Sequence, residues 1–512
     1  MLKIRHIGTV PIFSVHPCFS SISSSMSAVT TYCKQYINGE WLASTNGPEA
    51  LIDVIDSNTG KTFARAPRGS KADTEHAIEA ARRAFRSWSR TSVAERKAYL
   101  QRILEEYNKR KSAVGAALEQ ELGAPKGFAE KVQAGMFAYH WRAALALAEP
   151  DAFQWREQRG NVTIVKEPIG VVGCITPWNW PINQIAAKIA PALLAGCTIV
   201  LKPSEVTPIN AILITEAIHA AGLPSGVFNL VMGTGPETAQ VLAEHPHVDM
   251  VSFTGSTPVG RMLHSLGAQT VKRVRTELGG KSAAVILDDA TPKQIKDMAG
   301  HVLGNTGQSC NALSRMFVPE SRYAESVELA KEVFEGVHIS DARAGKMGHL
   351  GPLASKAQSD KVTAYIQTGI DEGARLVTGG TGYPPGFHEG YFVRPTVFAD
   401  VRNDMRVARE EIFGPVLCII PYKTEDEAID MANDTIYGLN GGVASSSSER
   451  AMDVAAQLQS GQVHINCTGG ADAMVPFGGY KQSGDGREYG VYGLEEFLQI
   501  KAMVQPRKSS KL

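Results

Sequence analysis

The chain has 512 residues, more than one ordinary hydrophobic core supports, and this length predicts two or three domains. Hydrophobic residues make up 43% and charged residues 20%, as in globular proteins, and 52 Lys and Arg balance 52 Asp and Glu. The balanced charge favours neither nucleic acid nor a membrane surface as a partner, and no apolar run is long enough to span a bilayer. The seven cysteines form no CxxC pair, which argues against a disulfide framework or a metal site and favours a reducing compartment.

The first 39 residues contain no acidic residue and include a serine-rich patch at residues 20–27. This composition is similar to that of a mitochondrial transit peptide, although arginines are few. A disordered tail, or an extension upstream of a start at Met26, explains it equally well. We therefore expect residues 1–34 to be a tail or a transit peptide, and the protein to be cytoplasmic or mitochondrial.

Folded sequence is predicted to begin near Gln35. The YINGEW stretch at residues 36–41 is typical of a hairpin with a tight Asn-Gly turn, and two further short strands follow around the SNTG turn. Alanine-rich and apolar periodicities then predict helices at residues 74–88, 92–122 and 130–147. The aromatic residues expected in the core of this helical region are Phe137, Tyr139 and Trp141.

From residue 161 onward, apolar strands alternate with helices. The run VTIVKEPIGVVGCIT predicts buried strands, and helices are predicted at residues 183–194, 209–221, 237–243 and 259–266. This alternation predicts a parallel sheet of Rossmann type. Because nucleotides bind at the carboxyl ends of such strands, the turns that follow them are the places to search for a site.

Three turns at predicted strand ends carry polar groups suited to a nucleotide or a reaction. PWNWP at residues 177–181 presents an amide at Asn179, KPSE at 202–205 presents a lysine and a carboxylate, and ELGGK at 277–281 presents Glu277 before two glycines. Each turn alone has an equally good structural explanation: Asn179 can cap a helix, Lys202 and Glu205 can form a surface ion pair, and Glu277 can be solvated. Together, at the ends of strands of one sheet, they indicate a binding site.

Glycine-rich turns supply candidates for phosphate binding. Gly255 and Gly260 bracket a GSTPVG turn that follows a strand and opens a helix, where backbone N–H groups and the Ser256 hydroxyl can hold a pyrophosphate. The turn at Gly235 lacks the full dinucleotide fingerprint, and the GGKS stretch is no P-loop because Arg275 stands where a glycine is required. A GxxxxG turn can also serve only close helix packing.

One cysteine lies among small and polar residues, in GNTGQSCNA at residues 304–312. A helix is predicted before it and a strand from Met316 after it, so Cys310 would lie in an open turn that a substrate can approach. A buried small hydrophobe is the alternative for most free cysteines. Taken alone, a single cysteine is weak evidence for a nucleophile.

The motifs PWNWP, KPSE, FTGS, ELGGK and GQSC, in this order, resemble the signature set of the NAD(P)-dependent aldehyde dehydrogenase superfamily. The likeness continues through EEIFGPV, NDTIYGL and PFGGYKQSG, and it covers residues 36–506. Ser309 and Asn311 flank the cysteine, and the segment before PFGG lacks an aromatic residue found in some members. These departures bear on substrate choice more than on chemistry.

The resemblance implies a reaction at Cys310. The sulfur would attack the aldehyde carbon to give a thiohemiacetal, with the Asn179 amide and the Cys310 N–H as the oxyanion hole. Hydride transfer to NAD would leave a thioester, which water activated by Glu277 would hydrolyse. Glu488 resembles a second carboxylate that relays protons, and Lys188 a lysine near the oxyanion site. A surface glutamate and a structural ion pair are the alternatives for these two.

The resemblance also implies the residues that hold the cofactor. Lys202 and Glu205 would bind the adenosine ribose, and because a carboxylate there repels a 2′-phosphate, NAD is favoured over NADP. Glu411 and Phe413 would position the nicotinamide ribose and ring. The full expected cofactor set is Thr176, Pro177, Trp178, Lys202, Ser204, Glu205, Gly235, Phe253, Thr254, Gly255, Ser256, Gly260, Leu278, Gly279, Glu411 and Phe413.

The family architecture implies an α/β fold with three parts. These are a Rossmann-like cofactor domain (residues 35–147 and 169–279), an α/β catalytic domain (280–481) and a small β oligomerisation element (148–168 and 482–512). The C-terminal strand FLQIKAMVQP would have an unpaired edge, which is a liability unless it joins a neighbour. We therefore expect a homodimer or homotetramer.

The substrate is expected to be a small aldehyde. Small residues around the pocket favour an open tunnel for a medium-chain aliphatic or aromatic aldehyde. No charged group clearly implies a substrate with a second carboxylate, although Arg142 and Asp472 lie in suitable regions. The residues expected to bound the pocket are Trp180, Gln184, Ala187, Ser309, Asn311 and residues near Ala471. A coenzyme A-acylating enzyme and a non-enzymatic NAD-binding protein are the alternatives. Glu277 argues against the first, and the complete set with Cys310 and Asn179 argues against the second.

Overall fold

The computed structural model describes residues 29–469 and 472–506, so the predicted N-terminal tail lies outside the described residues as far as residue 28. The strands are, in chain order, β1 (Thr30–Thr31), β2 (Lys34–Ile37), β3 (Glu40–Ala43), β4 (Leu51–Asp56), β5 (Lys61–Pro67), β6 (Arg156–Arg159), β7 (Val162–Pro168), β8 (Val171–Ile175), β9 (Thr198–Lys202), β10 (Phe228–Leu230), β11 (Met250–Thr254), β12 (Arg273–Glu277), β13 (Ser282–Ile286), β14 (Leu313–Pro319), β15 (Arg375–Thr378), β16 (Thr396–Ala399), β17 (Val416–Tyr422), β18 (Asn440–Ala444), β19 (Gln462–Ile465) and β20 (Leu498–Val504). The α-helices are α1 (Lys71–Trp88), α2 (Val93–Glu121), α3 (Lys126–Phe128), α4 (Met136–Leu147), α5 (Pro181–Ala195), α6 (Ile209–Ala220), α7 (Gln240–Glu244), α8 (Thr257–Gly267), α9 (Pro292–Gly300), α10 (Tyr323–Glu335), α11 (Lys356–Asp371), α12 (Arg406–Arg409), α13 (Glu425–Asn433), α14 (Ser448–Ala455) and α15 (Gly490–Glu496).

The first large sheet has the order β12-β11-β8-β9-β10-β2-β3. Strands β8 to β12 pair in parallel, whereas β2 and β3 form an antiparallel hairpin at one end. The hairpin turns at Asn38 and Gly39, whose φ angles of 55° and 85° are those of an Asn-Gly turn with two left-handed residues. The predicted Rossmann-type parallel sheet is therefore confirmed, and the carboxyl ends of β8, β9, β11 and β12 meet along one edge.

The second large sheet has the order β15-β16-β17-β14-β13-β18-β19 and is parallel except for β15. Its central strands β13, β14, β17 and β18 are almost wholly buried, because helices cover both faces. The loop that carries Cys310 leads directly into β14. The two large sheets with their covering helices confirm the predicted α/β fold class.

The third sheet, with the order β20-β7-β6, stands apart from both large sheets. It corrects one prediction, since Val162–Pro168 was expected to be buried and is mostly half-exposed. The cause is that β7 lies in a small sheet of three strands and not in the Rossmann-type sheet. Strand β20 pairs with β7 along one side, and its residues after Leu498 are exposed.

The helices differ from the predictions mainly at their irregular turns. The predicted helix at residues 130–147 begins with a π-helical turn at Ala129–Gln133, and the helix predicted at 237–243 begins with another at Gly235–Ala239. Of the three aromatic residues expected in the core, Phe137 and Trp141 are buried but Tyr139 is only half-buried. Within the described residues, no helix combines the length and apolarity that a membrane crossing requires.

Candidate active site

A cleft with a volume of about 170 Å³ opens where the predicted turns converge. It brings together turns after β8, β11 and β12, the Cys310 loop and the loop that follows α12. The predicted residues that line it are Pro177, Trp178, Asn179, Trp180, Gln184, Thr254, Gly255, Ser256, Leu278, Gly279, Cys310, Glu411 and Phe413. Two further lining residues, Gln358 and Lys361, were not predicted.

The loop before Cys310 has an unusual backbone. Asn305, Thr306 and Gly307 have successive φ angles of 53°, 56° and 76°, all in the left-handed region. A Cβ at position 307 would lie 2.0 Å from the carbonyl carbon of Gly414, so only glycine fits there. Such conformations persist only where neighbouring contacts enforce them, and they cluster at functional sites. The loop shape that presents Cys310 is therefore built into the fold.

Cys310 is partly exposed at the cleft, in a turn directly after this loop. Burial raises the pKa of the Cys310 thiol, and the carboxylates of Glu411, Glu277 and Glu488 raise it further. The sulfur is therefore a neutral thiol at neutral pH and needs a proton acceptor before it can act as a nucleophile.

Asn179 is buried and ties the turn after β8 to the Cys310 loop. Its side-chain Nδ2 donates a hydrogen bond of 2.9 Å to the backbone carbonyl of Gln308. The backbone carbonyl of Asn179 accepts hydrogen bonds from Asn305 Nδ2 (2.9 Å) and Gln133 Nε2 (3.1 Å). Because an amide nitrogen has two protons, the second N–H of Asn179 remains for a ligand. Sequence reasoning missed Gln133, which lies in a helical segment, and also Asn305, although Asn305 belongs to the predicted turn that carries Cys310.

Glu277, the last residue of β12, is 3% exposed, and neither of its carboxylate oxygens has a hydrogen-bond partner. Two glycines make room for it, since a Cβ on Gly478 or Gly486 would lie 2.8 Å or 3.2 Å from Oε1. Burial, and then the charge of Glu488, raise the pKa of Glu277 well above its usual 4.5. A carboxyl group with a raised pKa and free oxygens is suited to accept and release a proton.

Lys188 and Glu488 form a buried ion pair with Nζ and Oε1 2.7 Å apart. Lys188 lies on α5, and the second oxygen of Glu488, Oε2, has no hydrogen-bond partner. The alternative of a surface position for Glu488 is wrong, because its side chain is only 8% exposed. Both residues line a second, small cavity of about 20 Å³, together with Glu277 and Ala187. Ala187 thus lies behind the cleft and does not line it.

The predicted ribose-binding pair lies at the end of β9. Lys202 is buried, and its Nζ lies 2.8 Å from Oε2 of Glu205, whose side chain is 43% exposed. Although burial acts to raise it, the Lys202 ammonium brings the pKa of Glu205 below its usual value, so this side chain is an anion at neutral pH. The buried Ser204 accepts a hydrogen bond from the N–H of Val206.

The predicted phosphate-binding turn leads into α8. Ser256 occupies the N-cap position of this helix, but its side chain makes no capping hydrogen bond, so backbone donors of the first turn remain available. A Cβ on Gly255 would lie 2.4 Å from the ring of Phe253, and one on Gly260 would lie 2.6 Å from Leu278. The small residues are thus required by close packing around the turn.

Glu411 and Phe413, in the loop after α12, also line the cleft. The N–H of Gly280 donates to Oε1 of Glu411 at 2.9 Å, and burial raises the pKa of Glu411. Phe413 has a φ of 62°, and its ring meets that of Trp178 edge-on with centroids 5.3 Å apart. Gln358 holds this segment, because its Nε2 donates to the carbonyl of Phe413 at 2.8 Å.

Several predicted site residues lie outside the lining of the cleft. The members of this group among the described residues are Thr176, Lys188, Lys202, Ser204, Glu205, Gly235, Phe253, Gly260, Glu277 and Glu488. Thr176 is buried at the end of β8 with no partner for its hydroxyl, and Gly235 begins the π-helical turn after β10.

Of the residues predicted to bound the substrate pocket, Trp180 and Gln184 line the cleft. Trp180 Nε1 donates to the Ser309 hydroxyl at 2.8 Å, and the Gln184 carbonyl accepts from Thr254 at 2.9 Å. The carbonyl of Asn311 accepts from Asn440 at 2.8 Å. Arg142 and Asp472 are exposed, and Ala471 lies outside the described residues.

Comparison with known proteins identifies the class that this fold and site define. The family model described as "Aldehyde dehydrogenase family" matches residues 41–503. The chain is 48% identical over 476 residues to a Pseudomonas 3-succinoylsemialdehyde-pyridine dehydrogenase, a match that covers 92% of this chain and 98% of that protein. The protein therefore belongs to the aldehyde dehydrogenase family, and the predicted family and enzyme class are confirmed.

Solved structures agree with this assignment. A Pseudomonas syringae aldehyde dehydrogenase C variant, in complex with NAD+ and octanal, has a TM-score of 0.89 and 45% identity, and the match covers 92% of this chain and 96% of that chain. A Mycobacterium tuberculosis aldehyde dehydrogenase in complex with NAD+ has a TM-score of 0.90 and 40% identity, with coverage of 94% and 100%. These likenesses confirm that the fold is that of the aldehyde dehydrogenases.

Proposed function

We propose that this protein oxidises an aldehyde to a carboxylic acid with NAD, using Cys310 as the nucleophile and Glu277 as the base. The observation that carries the proposal is the Glu277 carboxyl group, which is buried with both oxygens unpaired and with a raised pKa. Its charge also raises the pKa of the Cys310 thiol, as expected of a carboxylate in the neighbourhood of the sulfur.

In the first step, Glu277 accepts the proton of the Cys310 thiol and the sulfur attacks the aldehyde carbon. A bond forms between the Cys310 sulfur and the aldehyde carbon as the carbonyl π electrons move to oxygen, which gives a thiohemiacetal oxyanion. The free N–H of Asn179 and the backbone N–H of Cys310 are the proposed donors to this oxyanion.

In the second half of the reaction, water attacks the thioester carbon and Glu277 takes its proton. The C–S bond breaks, the acid leaves and the sulfur recovers a proton. Lys188 is proposed to stabilise the negative charge of the Glu277 carboxylate, and Glu488 to carry the proton away from Glu277.

The residues at the start of α8 and at the end of β9 fit NAD. The uncapped start of α8 offers backbone donors to a pyrophosphate, and Lys202 and Glu205 offer a donor and an acceptor to ribose hydroxyls. When bound, NAD supplies the acceptor for the hydride of the aldehyde carbon. The anionic Glu205 opposes a 2′-phosphate, which favours NAD over NADP, and the two solved relatives that hold NAD+ support this choice.

The alternative functions use the same scaffold differently. A coenzyme A-acylating enzyme has no need of a base that activates water, so a free Glu277 disfavours it. A non-enzymatic NAD-binding protein would not need Cys310, Asn179 and Glu277 in one place. NADH formation should therefore be measured by absorbance with a panel of aldehydes, with NAD or NADP, and without coenzyme A.

Wild-type activity that is lost in Cys310→Ala would support the hydrolytic dehydrogenase. Turnover that requires coenzyme A would favour the acylating enzyme. NAD binding without turnover under either condition would overturn both enzymatic functions.

We also propose the predicted division into cofactor domain, catalytic domain and β element, and assembly through β20. Ile500 and Val504 on this strand are 75% and 70% exposed, and one edge of the strand has no partner in the described chain. A chain truncated after Glu496 should give a smaller particle in light scattering. An unchanged particle size would rule out this role for the strand.

A further inference from the structure

Four side-chain amides form a buried cluster next to the Cys310 loop. They belong to Gln133, Asn179, Asn305 and Gln308, which are 0%, 5%, 8% and 1% exposed. Gln133 lies in the π-helical turn after α3, Asn179 in the turn after β8, and the other two in the loop that leads to Cys310. Hydrogen bonds inside this amide cluster therefore join three segments that are far apart in sequence.

The hydrogen bonds fix the orientation of the amides. The backbone carbonyl of Gln308 accepts from Asn179 Nδ2 at 2.9 Å and from Asn305 Nδ2 at 3.2 Å. The backbone carbonyl of Asn179 accepts from Asn305 Nδ2 at 2.9 Å and from Gln133 Nε2 at 3.1 Å. Because a carbonyl oxygen can only accept, the nitrogen of each amide must face these carbonyls. The Asn179 side chain therefore cannot turn over, and its second N–H has one direction.

Gln133 uses both of its side-chain N–H groups inside the amide cluster. Besides the bond to the Asn179 carbonyl, its Nε2 donates to Oδ1 of Asn305 at 3.4 Å. Gln133 thus holds Asn179 directly and also holds Asn305, the other donor to the same carbonyl. Without the Gln133 amide, the Asn179 carbonyl would keep one of its two donors, and Asn305 Oδ1 would have no donor among the described residues.

A glutamine at this position is unfavourable for the stability of the fold. Gln133 Oε1 is buried and has no hydrogen-bond partner among the described residues, and such unpaired oxygens weaken a folded state. The π-helical turn, in which the N–H of Ala134 donates to the carbonyl of Ala129, is of a rare kind found mostly at functional sites. An apolar side chain of the same size would avoid the unpaired oxygen. The benefit of the glutamine therefore lies in its two N–H donors.

We propose that Gln133 is a positioning residue that sets the place of the Asn179 amide and so of one donor to the oxyanion. This inference rests on the proposed aldehyde oxidation, in which the second N–H of Asn179 stabilises negative charge on the substrate oxygen. Such a donor is effective only when it is held where the charge develops, so a small displacement weakens it. Gln133 is not among the residues that line the cleft, and it acts only through Asn179 and Asn305.

The test is a double-mutant cycle between Gln133 and Asn179. Gln133→Met keeps the length of the side chain without its donors and should lower kcat about tenfold, because the Asn179 amide is no longer held. Asn179→Ala removes the oxyanion donor and should lower kcat about a hundredfold. In the Asn179→Ala background, Gln133→Met should change kcat by less than about twofold, since no amide remains for it to position.

Further variants and measurements keep the result interpretable. Gln133→Leu is a second apolar replacement, in case Gln133→Met folds poorly. Asn229→Leu is the matched control, because Asn229 is also 0% exposed and donates to two backbone carbonyls, those of Ile199 at 3.1 Å and Gly226 at 2.9 Å, away from the cleft. It should lower the thermal unfolding temperature without lowering kcat. The Kd for NAD, measured by calorimetry, should be unchanged in the Gln133 variants.

A crystal structure of Gln133→Met supplies a readout besides activity. It should show the Asn179 amide displaced or in more than one orientation. An amide that keeps its place and its hydrogen bond to the Gln308 carbonyl would overturn the proposal, whatever the activity of the enzyme.

The kinetic outcomes separate this inference from the proposed function. A double variant with kcat about tenfold below that of Asn179→Ala would overturn the inference, because Gln133 would then act by a route that does not involve Asn179. Wild-type kcat in both Gln133 variants would overturn it as well. Wild-type kcat in Asn179→Ala would remove the oxyanion role of Asn179 and this inference with it. Wild-type enzyme that reduces NAD with no aldehyde would be a failure of the proposed function, and the crystal structure would then decide the positioning role.

Discussion

The Glu277 region and the Lys188–Glu488 region line the same small cavity, yet they surround a buried carboxylate with opposite environments. Glu488 has an ammonium group 2.7 Å away, whereas both oxygens of Glu277 lack a hydrogen-bond partner. An ion pair holds a buried charge in one place, while an unpaired carboxyl group has a raised pKa and can exchange its proton. The difference indicates which of the two carboxylates is free to act as the base.

The largest expected effect comes from removing the unpaired carboxylate. Glu277→Gln keeps the shape of the side chain but cannot accept a proton, so kcat should fall by about a hundredfold or more. Because the proposed mechanism uses Glu277 in both halves of the reaction, stopped-flow measurement should show that NADH formation in the first turnover is slowed as well as steady-state turnover. Glu495→Gln, at an exposed position, is the control. Equal kcat for Glu277→Gln and wild type would assign the base to another residue.

The unpaired carboxylate should also make stability depend on pH. Because the folded-state pKa of Glu277 is raised above its usual 4.5, the folded protein holds this proton more tightly than the unfolded chain. Relative to Glu277→Gln, the free energy of unfolding of the wild type should therefore be highest below about pH 4.5 and should fall as the pH rises towards the folded-state pKa. Urea unfolding at a series of pH values measures this difference. A difference that grows with pH would show that the carboxyl group is stabilised as an anion.

Substitutions in the Lys188–Glu488 ion pair should act mainly on the stability of the fold. Lys188→Met leaves Glu488 as a buried charge without a partner and should lower the free energy of unfolding by about 3–5 kcal/mol. Adding Glu488→Gln removes that charge and should recover most of the loss. Urea unfolding of the single and double variants tests this. If the double variant is as unstable as the single one, the pair matters for packing and not for charge compensation.

A third carboxylate extends the comparison to the surface. Glu205 is paired with Lys202 like Glu488 with Lys188, but its side chain is 43% exposed, so solvent weakens its interactions. Glu205→Gln should raise the ratio of kcat/KM for NADP to that for NAD by only about tenfold. Steady-state kinetics with both cofactors measures the ratio. No change would mean that another group discriminates against the 2′-phosphate.

Local patterns predicted the parts of the site that lie within one turn. PWNWP, the turn at Gly255 and the Cys310 loop each combine a strand or helix boundary with small or polar residues, so their positions follow from neighbouring residues alone. Parallel pairing of β8, β9, β11 and β12 then brings most of these turns to one edge. The roles assigned to the individual residues stay predictions until variants are measured.

The supporting contacts could not be predicted in this way. Gln133 and Gln358 stand inside helical segments, where nothing local distinguishes a side chain that holds a distant loop from one that faces water. A chain of hydrogen bonds from His140 through Asn183 to Tyr489 joins three elements that are far apart in sequence. A polar residue on an otherwise apolar helix face, such as Asn183 on the fully buried start of α5, is the one signal that could have drawn attention to it.

The exposed edge of β20 also governs how the protein behaves when a protomer is alone. One edge of the strand has no strand partner among the described residues, with Ile500 and Val504 uncovered, and such an edge can template pairing with any other exposed strand. If copies assemble along this edge as proposed, dilution or mild heating that separates them should favour aggregation over a stable monomer. The only charged side chain on this strand is Lys501, which is engaged with Glu167 on β7 and gives little electrostatic protection. The proposed assembly would thus make resistance to aggregation depend on a few residues that are remote from the cleft.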